Sequence, residues 1–459
     1  MNKNLPIKKQ NSKMVLSKTK NLMNIADKIL LNIDDSWIEK LWKWADKNYI
    51  PDAGYLVRPY TDESYWGGIA RERNKLIHMV DIDLSHENLS DLPKEIGNLA
   101  YLESLDLQSN KLIKLPKEIG DLISLKSLAL FRNKLTELPK EIGNLIGLKF
   151  LTLHKNELTE LPKEIFNLVH LPSLNLADNN LNKLPKEIGN LVNLKSLNLT
   201  GNNLTEIPKE IGNLINLKSL HLDGNKLMEL PKEIFNLVNL ESLSLTGNTL
   251  TELPKEIGNL INLKYLIVEY NNLVELPKEI ANLLKLETLS LSGNKLVELP
   301  KEITNLTNLM FLSFEDNSLT KLPKEIGNLT HLRSLTLHKN ELTELPKEIF
   351  NLVHLPSLDL ADNNLKELPK EISRLNIESL SLARNKLTEL PKEIGDLYYL
   401  ELLDIEGNKL TELPKEIINL VNLNLLDIRN NPNLILTPEQ EKLSSIFNDN
   451  EVYNEVTPF

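Results

Sequence analysis

The sequence contains no cysteine, only 17 glycines in 459 residues and 5% aromatics. Without thiols there are no disulfides, no thiolate metal sites and no cysteine nucleophile, which removes thioester-forming ligase chemistry among other classes. With so few rings and 41% hydrophobic residues, the core must be aliphatic and largely leucine. No apolar run approaches the roughly 20 residues of a membrane span, and no apolar run of signal-peptide length follows the basic N-terminus (Lys3, Lys8, Lys9, Lys13, Lys18 and Lys20). A cytoplasmic location is therefore expected, with residues 1–21 a flexible basic tail; export without a conventional signal peptide is the alternative. The formal charge of −11 would repel a phosphate backbone, so neither nucleic acid nor membrane is an expected partner.

What the sequence has in abundance is repetition. The pentapeptide Leu-Pro-Lys-Glu-Ile, with Ile replacing Leu in one copy, begins at residue 92 and recurs every 23 residues to residue 413, apart from one interval of 22 between 368 and 390. Alignment on it gives the unit LxxLxLxxNxLxxLPKEIxxLxx, repeated sixteen times from Met79 to residue 436. Leucines at positions 4 and 6 alternate with polar residues, the period of a short strand buried on one face, and successive strands should pair in parallel. Asparagine at position 9, from Asn110 to Asn431, ends the strand and has an amide able to bridge the backbone of neighbouring units. Proline then suits the first position of a short helical turn, with Lys and Glu facing water and Ile returning to the core.

One such unit cannot bury its own leucines, so the array needs caps at both ends. All four tryptophans, Trp37, Trp42, Trp44 and Trp66, precede the first unit, and Ser36-Trp37-Ile38-Glu39 has the spacing of a capping box opening a helix to about Asn48. Residues 22–78 are therefore expected to form a helical N-terminal cap, in which Tyr60 to Gly68 is a loop with room for a contact of its own. Thr437-Pro438-Glu439-Gln440 has the same spacing, so residues 437–459 should form the C-terminal helical cap and tail, with Leu443 and Phe447 on its apolar face.

This unit resembles that of leucine-rich repeat proteins, in the LPxxI form of the Ras-binding type and of many bacterial members. The resemblance covers residues 79–436 and implies an α/β repeat solenoid: a horseshoe with a parallel concave β-sheet, short helical turns on the convex side, and a concave face that binds other proteins. Two departures stand out: Glu87 occupies the asparagine position of the first unit, and the unit ending at Asn376 is one residue short, which should disturb the curvature locally. No kinase, GTPase or nucleotide-switch motif accompanies the repeats, and the absence of cysteine excludes the ligase domain attached to some bacterial relatives.

Residues 151–188 and 335–372 differ at only three of 38 positions and lie 184 residues apart, eight units of 23. The array grew by copying blocks, so the residues that break the pattern carry the information about function. No GxxxxGK[ST], HExxH or GxSxG motif is present. His154 and His338, each one unit before an acid (Asp178 or Asp362), form the only combination suggestive of a metal or proton site, and on an open sheet they lack a water-excluded pocket. A non-enzymatic protein without cofactor or metal is expected.

Positions 3, 5 and 7 should point out of the concave face, and most carry small polar residues. Against them stand Phe131 and Phe150 beside Arg132, and Tyr265, Ile267 and Tyr270 two units before Met310 and Phe311. Exposed aromatics with arginine are the composition of interface hot spots. Leu402 and Leu425 form a third apolar pair, equally suited to packing against the C-terminal cap. Acids at position 5, Asp83 and Asp106 near the front and Asp359, Asp404 and Asp427 near the back, favour a basic partner. The expected protein is a monomeric interaction scaffold; an exported bacterial effector or surface ligand-binder using the same face is the alternative.

Overall fold

In the computed structural model, residues 35–57 and 64–445 are described. The basic tail and Phe447 lie outside them. Sixteen three-residue strands, from Asp81–Asp83 to Leu425–Asp427, form one parallel sheet in which sequence order and spatial order coincide. Each strand holds positions 3 to 5 of its unit. In the second unit, Leu105 and Leu107 are buried while Ser104 and Asp106 face outward. The consensus leucines and isoleucines of successive units join one continuous core. The convex side consists of five-residue 3₁₀ turns, from Lys94–Asn98 to Lys415–Asn419. Proline sits one residue earlier than expected: it caps the turn in extended conformation, as at Pro93 with ψ 146°, and the turn itself begins at lysine.

The asparagine ladder is complete and nearly dry. Asn110 Oδ1 accepts the Leu89 N–H at 2.9 Å, and Nδ2 donates to the carbonyls of Leu84 at 2.8 Å and Leu107 at 3.0 Å, so one amide ties its own unit to the one before it. The pattern continues to Asn431. At the shortened unit the ladder is intact, with Leu365 N–H to Asn385 Oδ1 at 3.0 Å, and the strands keep full register from Ser357↔Ser379 to Asp359↔Ser381. The missing residue is absorbed on the convex side instead, where Leu375 is extended (ψ 144°) while its counterpart Leu352 has ψ 62°.

Two gaps in the sheet are weaker, for a reason that the repeat consensus hides. Lys149 donates its N–H to the Lys126 carbonyl at 2.8 Å, but the equivalent residues in the copied blocks are Pro172 and Pro356, which have no N–H. Pairing there contracts to the single rungs Thr152↔Asn175 and Thr336↔Asp359.

At the front, the helix Ser36–Lys47 begins at Ser36 itself, so the cap residue is Asp35 and not Ser36. Asp35 turns its carboxylate to Arg73, whose Nε lies 2.7 Å away. Trp44 is buried and donates its indole N–H to Asp91 of the first unit at 2.7 Å, while Trp42 donates to the Ala70 carbonyl at 2.8 Å. Two elements were not expected from the sequence: an antiparallel pair, Gly54–Val57 with Ser64–Gly67, where a loop was foreseen, and a short helix at Arg73–Ile77. At the back, the expected capping box forms. Thr437 N–H donates to Gln440 Oε1 at 3.0 Å, and the buried Gln440 also donates to the Leu413 carbonyl at 3.0 Å, fixing the helix Pro438–Ser445 to the last unit.

Replacing Asn271 by Ala would strand the Leu250 N–H that its side chain now satisfies and leave the Leu245 carbonyl to Asn248 alone. The expected loss is about 1–3 kcal/mol in a urea melt. A cost below about 0.5 kcal/mol would mean that water replaces the ladder without penalty.

Candidate functional site: the concave face

Three rows of side chains run across the strands on the concave side, one row for each of positions 3, 5 and 7. Because register is maintained, residues 23 apart are neighbours, about 4.8 Å apart along the array. In the position 3 row, Phe150 is 63% exposed, Tyr265 41% and Phe311 47%. Tyr265 and Ile267 share the strand Tyr265–Ile267, and Phe311 follows across Thr288, so these three form one patch. Phe131 and Phe150 are not brought together. Although they come from adjacent units, Phe131 is in the position 7 row and Phe150 in the position 3 row, at opposite margins of the strip. Phe131 is half-buried beneath His154, their rings parallel within 7° at a centroid distance of 4.6 Å.

Arg132 and Tyr270 are not strand residues. Both occupy position 8, which takes left-handed backbone torsions in every unit from His86 (φ 64°) to Asn430 (φ 56°). Glycine fills this position at Gly201, Gly224, Gly247, Gly293 and Gly407, whereas Tyr270 holds φ 50° despite its bulk. Its ring lies across Gly293 of the next unit, where any Cβ would come within 2.4 Å of the ring. Met310, at position 2, stands off the strip on the lateral edge, beside His331 in a shallow groove.

The position 7 row carries carboxylates at Asp223, Glu269 and Glu315, which sequence reading missed. They sit in the first half of each unit among otherwise ordinary polar residues, and emerge only when one column is read down the array. Asp223 accepts hydrogen bonds from the Ser244 hydroxyl and, at 2.8 Å, from the Thr246 N–H; Glu269 accepts from the Ser290 hydroxyl at 2.5 Å. Strand hydroxyls thus fix the acids in place. Nearer the back, burial pushes the Asp404 carboxyl up, opposed by the Glu406 N–H and reinforced by the charges of Asp427 and Glu406. Asp404, Glu406 and Asp427 lie close enough to share a cation, but Arg429 already engages Asp427, with Nε at 2.9 Å from Oδ1.

The two copied histidines show how neighbours decide chemistry. His338 Nε2 is 2.6 Å from Glu315 and its Nδ1 3.4 Å from Asp359, so its acid partners are not Asp362, which pairs with Arg384. His154 has Phe131 where His338 has Glu315. Its imidazole is held below the usual range, first by burial and then by Lys155 and Arg132, with Asp178 opposing.

A second ladder, also missed in the sequence, runs along one lateral edge at position 23. Asn216 donates to the Val192 carbonyl at 2.8 Å and Asn239 to the Ile215 carbonyl at 2.8 Å. Beside it Lys218, at 2.8 Å, and Lys264, at 3.2 Å, bridge Glu241 and hold its carboxyl below its usual range, in an open groove of about 450 Å³.

The leucine-rich repeat region family model matches residues 163–248, 209–269, 253–337 and 320–377, and further leucine-rich repeat models match residues 375–432 and 101–122. A solved leucine-rich repeat protein of Leptospira interrogans is 44% identical, covering 82% of this chain and 97% of its own at a TM-score of 0.72. The chain belongs to the leucine-rich repeat family. Similar structures include the plant peptide hormone receptor RGFR1 in complex with RGF2, at 29% identity over 78% of this chain and 71% of the receptor (TM-score 0.56). YopM, a leucine-rich effector protein from Yersinia pestis, is 29% identical over 76% of this chain and 88% of YopM (TM-score 0.57). No curated protein matches the chain. Among the described residues of this leucine-rich repeat protein, no helix is long and apolar enough to cross a membrane.

The proton equilibrium of His154 is directly measurable. A folded pKa below the ordinary 6.5 means that the unfolded chain binds more protons between the two values, so this contribution to stability is full above about pH 6.5 and is lost as pH falls through that window. In a histidine-resolved NMR titration, His154 should have its midpoint below 6.5, and Phe131→Ala, which opens the ring to water, should raise it. A wild-type midpoint at or above 6.5 contradicts the arrangement.

Proposed function

We propose that this protein is a non-enzymatic interaction scaffold that holds a protein partner on its concave face, with residues 22–78 and 437–459 closing the two ends of the solenoid. The observation that carries this reading is the patch of Tyr265, Ile267 and Phe311. Two rings at least two-fifths exposed stand on a strip whose other positions are mostly small or polar, on the surface where the fold brings successive units into a shared, inward-curving array. Rigid aromatics of this kind supply contact area at low entropic cost and dominate protein interfaces. The plant receptor RGFR1, similar in fold, was solved with RGF2 bound, which supports a protein or peptide as the partner class.

Tyr270 adds a second line of support. Its left-handed backbone carries an aromatic side chain at a position that five units fill with glycine and ten with polar residues, and strain of this kind at a bulky ring points to function. Phe131, Arg132, Phe150 and Met310 belong to the same reading as outlying contacts, at other rows or at the lateral edge. The acids of the strip favour a basic partner, and the chain acts as a monomer in the cytoplasm. The likeness to the effector YopM favours a second reading, an exported protein using the same face.

Fractionation of the native cell into cytoplasm and medium, followed by affinity purification, separates the two readings and supplies the partner. Calorimetry should then show that Tyr265→Ser, Ile267→Ser and Phe311→Ser each cost about 2 kcal/mol or more in binding, whereas the convex pair Lys255 and Glu256 costs about 0.5 kcal/mol or less. Leu266→Ser, in the core, should unfold the chain before binding is lost. Tyr270→Gly should leave stability equal or higher while weakening binding. Unchanged affinity in the concave variants with loss in the convex ones places the functional surface on the other side of the solenoid.

A further inference from the structure

The exposed aromatics and the carboxylates of the concave strip share one rhythm. Tyr265 and Phe311 in the position 3 row are two units apart, with Thr288 between them; Asp223, Glu269 and Glu315 in the position 7 row are also two units apart, with Thr246 and Ser292 between them. The two rows are in phase, since Tyr265 and Glu269 share one unit and Phe311 and Glu315 another. We infer that this strip is a docking surface for a proline-rich, basic segment in the polyproline II conformation, lying across the strands with Lys or Arg at every third residue. This rests on the concave-face reading above and names the chemistry of the partner.

The argument is metric. Strands lie about 4.8 Å apart, so alternate units repeat at about 9.6 Å, and side chains projecting into the hollow of an arc converge to somewhat less. A polyproline II helix has three residues per turn and rises about 3.1 Å per residue, so each of its three ridges repeats at about 9.3 Å. A β-strand presents one face every second residue, at about 6.6 Å, and falls out of step at once. An α-helix brings a side chain back to the same face after seven residues, at about 10.5 Å, and the curvature widens that mismatch. Of the regular conformations, polyproline II fits closest.

Chemistry points the same way. Proline ridges pack on exposed aromatic rings, which Tyr265 and Phe311 supply at 41% and 47% exposure. A second ridge of cations then faces the carboxylate row. Among the described residues Asp223 and Glu269 are not ion-paired with any Lys or Arg; Asp223 has only His221, at 4.0 Å. Both acids are oriented by strand hydroxyls, Ser244 and Ser290, so they are held in position for an incoming cation. Glu315 is already shared with His338 and Lys339, and marks the end of the open row. Because the segment makes no internal hydrogen bonds and is already extended, it loses little entropy on docking.

The test uses a fluorescein-labelled peptide of five Pro-Arg-Ala triplets, titrated by fluorescence anisotropy with the full chain at 50 and 200 mM salt. Two controls match it in charge: an isomer with the same composition and its arginines scattered over all three ridges, and a helix-forming peptide with arginine at every seventh position. The triplet peptide should bind at least about ten-fold more tightly than either. Tyr265→Ser, Phe311→Ser and Glu269→Gln should each weaken it by about ten-fold, with circular dichroism unchanged, and added salt should weaken it further. No binding, equal binding of the scattered isomer, tighter binding of the helical peptide, or indifference to Glu269→Gln overturns the inference. Panning a random 15-residue peptide library on the chain distinguishes this failure from that of the underlying reading. Ligands lost on Phe311→Ser but lacking the basic triplet overturn only the polyproline inference, whereas ligands indifferent to every concave substitution overturn both.

Discussion

An amide buried among leucines must find partners for one acceptor and two donors, and in this solenoid it finds them only if the preceding unit is in place. Each position 9 asparagine takes an N–H from the unit before it and gives its own protons to carbonyls of both units. Leucine burial supplies the bulk of the stabilisation but is indifferent to direction, since an apolar surface accepts any apolar neighbour. The amide is not indifferent. It fixes the parallel register, holds the repeat spacing, and thereby turns each sequence position of sixteen units into a row of side chains. The concave strip exists as a surface because of that register.

The repeat made most of this fold legible. Leucine spacing gave the strands, position 9 the ladder, Thr437 to Gln440 the rear cap. What the sequence hid falls into two kinds. The hairpin and short helix of the front cap lie in a segment without periodicity, where nothing but tertiary packing selects the conformation. The site was hidden differently. Exposure of Tyr265 and Phe311 followed from strand alternation, but position 8 is a left-handed turn, so Tyr270 and Arg132, grouped with the concave-face residues, lie past the ends of their strands. The grouping of Phe131 with Phe150 failed because adjacency between units says nothing about which row a residue joins. Row membership, read by position and not by proximity in sequence, was the missing variable, and it also contained the carboxylates of Asp223, Glu269 and Glu315.

Copied blocks give an internal control on how much of a residue's behaviour is its own. His154 and His338 have the same flanking sequence within their blocks, yet one stacks on a phenyl ring and the other sits between two carboxylates. The larger part of the difference, Glu315 in place of Phe131, comes from the unit on the far side of the block boundary, and the rest from Asp359, which stands where the other copy has Asn175. In a solenoid every side chain on the strip has neighbours from three units, so duplication preserves a residue and changes its environment wherever the copy joins older sequence. New surface chemistry can therefore arise at the joins without any substitution at all.

The prolines at Pro172 and Pro356 leave the sheet divided into stretches of four, eight and four strands. A ribbon with full rungs resists bending in its own plane, and one that loses rungs at two places yields there first. The asparagine ladder and the leucine core run through both seams unbroken, so these are joints and not breaks. The sheet is thus a central plate of eight strands with two shorter wings, and any change in the width of its mouth would meet the least sheet resistance at these two seams.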